Sequence, residues 1–410
     1  ATYQPEKIML AVLPFENLGV SEDEYFADGI TEEILIDLAQ LSGLGVISRT
    51  SAMRYKKTEK NLREIGAELG VDYVLEGTIR WDNTGDESRV RIYTQLIRVD
   101  DDVHLWAERY DAVIEDIFGL QSTIAGKVAE ALRVNLVGNE KDLLLKRHTE
   151  NLEAYNLYLK GRHFWNKRTE EGLQKSLAYF QQAIEKDSAY ALAYAGIADY
   201  YNMLGWYSFL PPKMAFPKAK DAAKRALELD KYLAEAHTSL AHVNEYFDWD
   251  WLSAEKEYRR AIELNPGYAT AHQWYAEFLS AMGRPEEAIA VGKRARELDP
   301  FSPVIGTNLA GFFFVGGQID RAIEQYKNVL EMEPDFVIAH VFIAYAYVLK
   351  GAYQEAIAEV QKAIDLSGRD TPRILITRGY IYAISGEEDK AEQILDELKE
   401  LSKQTYVSSW

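Results

Sequence analysis

Pro266, Pro300 and Pro334 stand 34 residues apart, Ala254, Ala288, Ala322 and Ala356 keep that interval at a second phase, and Gly283, Gly317 and Gly351 keep it at a third. Three ladders at one interval do not arise from composition, and this is the length of a two-helix unit. Such a unit cannot bury its apolar face alone, so the second half of the chain is expected to be an all-α array of stacked helix pairs. Each ladder has a physical reason. The alanines, with Ala276, Ala310 and Ala344 on the first helix of each pair, let two helices approach closely. The glycines mark the break between helices, where a residue at positive φ closes the first one. The prolines follow Asn265, Asp299 and Glu333, where a missing N–H is harmless and the fixed φ suits the start of the next helix.

The same phase extends outward with defects. Ala226 and Ala261 are 35 residues apart, Ala183 and Ala226 are 43 apart across Pro211 and Pro212, and Ala391 follows Ala356 by 35. The expectation is about seven hairpins over residues 154–401, preceded by a helical linker at 138–153. Residues 402–410 read as the start of a truncated further repeat, whose apolar end, Tyr406 to Trp410, would promote self-association.

These motifs resemble the tetratricopeptide repeat across residues 154–401. The resemblance implies a right-handed superhelix whose concave surface, made of first helices, binds a protein or peptide. That family's large aromatic, four residues before the small residue of the first helix, is replaced here by His237, His272 and His340, and by Gly306 in another repeat. Repeating at one structural site, these three of the seven histidines read as packing residues and not as ligands or bases. Outward-facing first-helix positions are Asp199, Asn202, Thr238, His242, Glu245, Gln273, Glu277, Asn308 and Tyr345. Members of the family that grip a peptide carboxylate use Lys, Arg and Asn; here the face is acidic, neutral or apolar instead, without Lys or Arg, and Asn308 is the position reminiscent of that set. The expected partner is therefore a basic or amphipathic protein segment. In the third repeat, Asp250 or Ser253 is placed to cap the second helix. Trp249 and Trp251 beside them read either as a partner hot spot or as filler for the extra residue.

Residues 1–137 follow another grammar. The apolar runs KIMLAVLPF, LGVISRT, DYVLEGTIRW, RVRIYTQLIRV and VHLWAERYD alternate with helical periods, which argues an α/β domain. Helices are expected over about Glu22 to Leu41, Asn61 to Leu69 and Ile114 to Leu136. Tyr73 to Trp81 and Arg89 to Val99, joined by Asp82 to Asp86, read as a hairpin. The segments AVLPFENLG, EYFADGITEEI, GLGVISRTS, LREIGAELGVDYVLEGTIR and HLWAERYD, in this order, resemble the TolB-like N-terminal domain of bacteria. In that family the domain precedes tetratricopeptide repeats and follows a serine/threonine kinase, a class III nucleotidyl cyclase or a winged-helix regulator, which here would lie upstream of Ala1. The resemblance implies a non-catalytic scaffolding region of a bacterial signal-transduction protein, with the α/β domain docked on the repeats as a cap.

The remaining chemistry is mostly exclusion. With 46 Lys and Arg against 65 Asp and Glu, the net charge of −19 repels phosphate backbones unless a basic patch is concentrated somewhere. The densest run, Arg54 to Lys57 with Lys60 and Arg63, reads as a solvated face, so no nucleic acid is expected. No apolar run is long enough to span a bilayer; the expected compartment is the cytoplasm, or the periplasm if a membrane span lies upstream. There is no cysteine, and glycine-rich nucleotide loops, G-x-S-x-G, H-E-x-x-H and EF-hand patterns are missing. No enzyme activity, cofactor or metal is expected. Glu22, Asp23, Glu24 and Asp28 read as the favourable acidic start of a helix. The alternative function is ligand sensing, in which the TolB-like domain binds a small molecule and controls an upstream effector. Its site would be the loop from Pro14 to Gly19 and the helix start after it, with Phe15, Asn17, Asp28 and Gly29. Against it, Phe15 and Leu18 serve equally well as core plugs.

Overall fold

The computed structural model describes residues 7–19, 24–82, 89–113, 117–134, 136–138, 140–144, 146, 148–165, 170–206, 210–368 and 371–403. Glu22, Asp23, the hairpin turn 83–88 and the segment Tyr406 to Trp410 lie outside them. The chain divides into two compact units, one drawn from residues 1–207, 212–272 and 297–300, the other from 208–211, 273–296 and 301–410.

The first unit is built on a mixed sheet. Strand β1 (Ile8–Val12) lies parallel to β3 (Leu44–Val46) and to β4 (Tyr73–Asp82), and the short β2 (Glu16–Asn17) also pairs with β4. Antiparallel ladders then join β4 to β5 (Arg89–Arg98) and β5 to β6 (Val103–Val113), giving the order β3-β1-β4-β5-β6. Leu10, Ala11 and Val12 are fully buried, because parallel strands are covered on both faces. The edge strand β6 is mostly exposed and carries Glu108, Arg109 and Asp111, charges that discourage pairing with another chain.

Helix α1 (Glu24–Ala39) crosses from β1 to β3, followed by the short α2 (Arg49–Ala52) and by α3 (Leu62–Leu69). A capping box fixes the start of α3: Glu64 N–H donates to Asn61 Oδ1 and Asn61 N–H donates to Glu64 Oε2, both at 3.0 Å. In α1, Phe26, Ile30, Ile34 and Leu38 form the stripe against the sheet and are almost completely buried. Asp28, Thr31, Glu32 and Glu33, on the remaining faces, are buried too. A helix enclosed all round is a core element, and here the second cover comes from the repeats.

After α4 (Ile117–Ala131) and α5 (Glu140–Leu144), the described helices pair as hairpins. They are α6 (Leu152–Trp165) with α7 (Glu170–Lys186), α8 (Ala191–Trp206) with α9 (Pro212–Leu229), and α10 (Ala234–Val243) with α11 (Trp251–Leu264); α12 (Ala269–Ala281) and α13 (Pro285–Leu298) come next in the chain. Then follow α14 (Pro303–Val315) with α15 (Ile319–Met332), α16 (Val337–Leu349) with α17 (Tyr353–Ser367), and α18 (Pro372–Ser385) with α19 (Glu388–Ser402). One apolar cluster runs from Leu10, Val46 and Leu75 of the sheet through Ile34 of α1 to Tyr158, Phe180 and Tyr190 of the first two hairpins. The approach of α1 to α6 leaves no room for a side chain at Gly29, where a Cβ would lie 2.2 Å from Leu159 Cδ1. At the other end of α1, Gly267 N–H donates to the Ala39 carbonyl at 3.0 Å.

Within the hairpins, Ala254, Ala288, Ala322 and Ala356 are fully buried, as are Ala276, Ala310 and Ala344. Gly283, Gly317 and Gly351 adopt φ of +73°, +72° and +73° at the breaks. The prolines differ from expectation: Pro266, Pro300 and Pro334 stand in the loops, three residues ahead of the next helix, and it is Pro303 and Pro372 that open helices. The extra residue of the third hairpin is taken up by a π-helical turn, Asn244–Asp248, closed by Trp249 at φ +59°. Asp250 caps α11 by accepting from Ser253 N–H at 3.1 Å. Trp249 and Trp251 fill no space; they are 71% and 47% exposed.

The three repeat histidines pack as expected and also clamp their hairpins. Nε2–H of His237, His272 and His340 donates to the carbonyl six residues earlier, in Lys231, Pro266 and Pro334, at 3.0, 3.0 and 2.8 Å. Nδ1 of His340 also meets Glu359 Oε2 of the second helix at 2.5 Å. With a carbonyl on one nitrogen and a carboxylate on the other, both nitrogens must donate, which is the imidazolium form. The hydrogen bond to Glu359 raises the His340 pKa above its ordinary 6.5 against the opposing effect of burial. The sign follows by linkage: the stabilisation is complete below about pH 6.5 and is lost as the pH rises through the higher folded-state value. Urea unfolding of the wild type and His340→Phe at pH 6 and pH 9 is expected to show the wild type losing stability relative to the variant at the higher pH. A difference independent of pH would mean that the pair is not ionic.

Candidate functional site

Helix α1 carries five acidic residues and no Lys or Arg in its 16 positions. Its countercharges must therefore come from other elements. Lys56, just after α2, places Nζ 2.6 Å from Glu24 and 2.5 Å from Asp28, so this part of the basic run is an internal partner and not a solvated face. Arg49 of α2 lies 3.1 Å from Glu32 and 3.9 Å from Asp28. Arg162 of α6 lies 3.2 Å from Glu32 and 3.6 Å from Asp199 of α8. Burial disfavours charge on Arg162, but the adjacent Glu32 and Asp199 carboxylates overcome it and raise its pKa. This chain of ion pairs ties α1 to the first helices of two hairpins.

The proposed ligand loop is thereby corrected. Phe15 is in the core, with its N–H donating to Thr31 Oγ1 at 3.0 Å. Asn17 turns its Oδ1 onto the N–H of Gly19 at 2.9 Å. Asp28 is committed to Lys56 and Arg49, and Gly29 is pressed on Leu159. Of the two candidate core plugs, Phe15 is one, whereas Leu18 is 46% exposed.

The nine positions expected on an open first-helix face divide by unit. In the first unit Asp199, Asn202, Thr238, His242 and Glu245 are all buried, so the outward-facing assignment fails for them. Asp199 accepts from Ser239 Oγ and pairs with Arg162, and Asn202 Nδ2 donates to the Ser239 carbonyl at 3.1 Å. Thr238 Oγ1 donates to the Ala234 carbonyl at 2.9 Å, and Glu245 accepts from Tyr258 OH at 2.8 Å. His242 packs between Tyr246 and Phe216, where burial pushes its pKa down to about 3. Their partners are thus all within the hairpins, while the N-terminal part meets the same unit at other points: α1 packs on α6, Gly267 N–H donates to the Ala39 carbonyl, and Ser51 Oγ donates to Asp299 Oδ1 at 2.5 Å.

In the second unit the remaining four, Gln273, Glu277, Asn308 and Tyr345, are half-buried and border solvent. Glu277 Oε1 accepts from Gln273 Nε2 at 3.0 Å and from Asn308 Nδ2, and burial lifts its pKa to about 7. Tyr345 OH meets Thr377 Oγ1 of α18 at 3.0 Å. This polar line on successive first helices presents acceptors and aromatic edges, without a basic side chain among those four.

Residues 250–307 and 313–371 match tetratricopeptide repeat family models. The helix pairs over these residues are tetratricopeptide repeats. Where the sequence resemblance pointed to a TolB-like domain, the family model that matches residues 6–127 is that of the HilA/YgeH-like transcriptional regulator, second domain. Similar curated proteins include one named putative adenylate cyclase 3 of Rhizobium meliloti, 36% identical over 243 residues, 58% of this chain and 40% of that protein. Transcriptional regulator HilA of Salmonella typhimurium is 25% identical over 322 residues, 78% of this chain and 56% of HilA. The chain thus spans about half the length of these relatives. Among solved structures, a monomeric mutant of IFIT1 with Gppp-AAAA superposes with a TM-score of 0.55 at 17% identity, over 72% of this chain and 69% of that one, a likeness of fold alone. No catalytic domain is evident among the described residues, and no described helix is long and apolar enough to cross a membrane.

Sequence reasoning missed Arg49, Glu32 and Arg162. The available signal was α1 itself, acidic at five positions with no cation of its own. Arg162→Ala strips the buried Glu32 and Asp199 of their shared partner and is expected to cost about 3–5 kcal/mol in urea unfolding. A cost below about 1 kcal/mol, the range of exposed pairs, would show that the network is solvated.

Proposed function

We propose that this chain is the non-catalytic, protein-interacting region of a bacterial signal-transduction protein. Its repeats bind a basic or amphipathic segment of a partner on the first-helix face of the second unit. The reading rests on one observation: the polar line of Gln273, Glu277, Asn308 and Tyr345 borders solvent, while the equivalent positions of the first unit are consumed internally. Tetratricopeptide repeats are typically interaction modules, and the net charge of −19 favours a cationic partner. The names of the relatives, a cyclase and a transcriptional regulator, support an effector module elsewhere in the full-length protein, with this region recruiting what the effector acts on or answers to. A cytoplasmic location belongs to the same proposal.

Fluorescence anisotropy with a labelled Lys/Leu amphipathic helix of about 18 residues, and with its Glu/Leu counterpart, tests the reading. The basic peptide is expected to bind with an affinity that falls with salt and drops about tenfold or more in Glu277→Lys and in Tyr345→Ala, each checked for unchanged melting. Equal binding of both peptides, or indifference to both substitutions, would overturn it.

A further inference from the structure

Trp249 stands five residues before Ala254, the place that Gly283, Gly317, Gly351 and Gly386 hold before Ala288, Ala322, Ala356 and Ala391. The backbone is alike at all of them: φ is +59° at Trp249 and between +72° and +83° at the glycines. Glycine takes this region without steric cost, whereas a bulky side chain there is an outlier. The π-helical turn holds it in place, since Trp249 N–H and Asp250 N–H both donate to the Asn244 carbonyl, the latter at 2.9 Å. A large side chain in a strained conformation is ordinarily offset by packing, yet Trp249 is 71% exposed.

The strained residue has apolar company. Trp251 and Leu252 open α11 and are 47% and 86% exposed, and the rings of Trp249 and Trp251 lie 6.4 Å apart between centroids at a tilt of 39°. Two indoles of about 150–250 Å² each and one leucine fall well short of the about 800 Å² per side of a standard interface. The patch therefore fits a short segment and not a second copy of the chain. Charge selects its chemistry. Asp248 is held by Lys220 Nζ at 2.5 Å. Asp250, between the two indoles in the chain, is exposed; hydrogen bonds from Ser253, with Lys220 assisting, keep its carboxyl below the usual range, so it stays ionised. Its cap on Ser253 N–H uses Oδ1 and does not cancel the charge. Indole faces beside a carboxylate disfavour an anion and favour a flat cation. A guanidinium stacks on the ring and forks onto the carboxylate, which a compact, strongly hydrated ammonium does less well.

We propose that the knuckle Trp249-Asp250-Trp251-Leu252 is a docking site for a short arginine-containing segment of another protein, the guanidinium lying on an indole and paired with Asp250, and a neighbouring apolar side chain resting on Leu252. The fold accepts a bulky residue at positive φ in order to display this ring, a strain of the kind that gathers at functional positions. The knuckle belongs to the first unit, at the turn between α10 and α11, and does not depend on the polar line of Gln273, Glu277, Asn308 and Tyr345 in the second. Either reading can fail without the other.

Fluorine NMR of the intact chain carrying fluorinated tryptophan tests this, with Trp249→Phe and Trp251→Phe assigning the two resonances. A short blocked Arg/Leu peptide is expected to move both resonances saturably, its Lys/Leu counterpart to bind about fivefold or more weakly, and its Glu/Leu counterpart not to bind. Asp250→Asn retains a good helix cap and should weaken the Arg/Leu peptide about fivefold or more. Trp249→Gly should weaken it about tenfold or more while keeping or raising the melting temperature, because it relieves the backbone. Glu277→Lys should leave the response unchanged, which separates this site from that of the second unit. No saturable movement up to ~10 mM peptide, an equal response to the Lys/Leu or Glu/Leu peptide, or undiminished binding by Asp250→Asn would overturn the proposal. So would a Trp249→Gly variant that melts clearly lower, which would make the ring a packing residue, or movement of the two resonances with protein concentration alone, which would make the occupant a second copy.

Discussion

The burial of α1 on all sides is the constraint from which the first unit follows. Its apolar stripe lies on the sheet, with Phe26 against Trp81 at 4.7 Å between ring centroids, and its polar side lies on α6. Four nearly fully buried large side chains contribute about 1.5–3 kcal/mol each relative to exposure. That is enough to hold down a face carrying Asp28, Glu32 and Glu33, provided most of those charges are met. Lys56, Arg49 and Arg162 meet them, and the sheet and the first hairpins share a single core as a result.

This arrangement redirects the functional argument. A tetratricopeptide array ordinarily offers its first helices to a partner. Here α1 lies on α6, the first helix of the first hairpin, and in the next two hairpins Asp199, Asn202 and Thr238 are internal hydrogen-bonding groups, met by Ser239 and the Ala234 carbonyl. Accessible first-helix polarity is left to the second unit. The acidity of α1 has the same origin, since a helix met by Arg49, Lys56 and Arg162 needs no cation of its own.

Much of this was legible in the sequence, and the rest was hidden for identifiable reasons. A period of 34 residues exposes helix pairing because alanine at Ala322 and glycine at Gly317 answer purely local demands of contact and φ. The Asn61 capping box and the hairpin from Tyr73 to Arg98 are likewise local. What covers a helix face is not local. Asp199 and Glu277 occupy the same position in their repeats, one residue after Ala198 and Ala276, and it is partners from neighbouring hairpins, Arg162 and Ser239, that make Asp199 internal while Glu277 stays half-buried. Gly29 looked like part of a ligand loop because its role, the approach of Leu159, depends on a residue 130 positions away. The histidines were recognised as structural from their spacing, but their bonds to carbonyls six residues earlier require the loop geometry.

Hydrogen–deuterium exchange of the intact chain, followed across a urea series, measures the central claim that α1, the sheet and the first hairpins form one cooperative body. Amides of α1, α6 and α8 are expected to share one opening free energy and one urea dependence. Opening of α1 at a clearly lower free energy, with α6 and α8 still protected, would contradict the account.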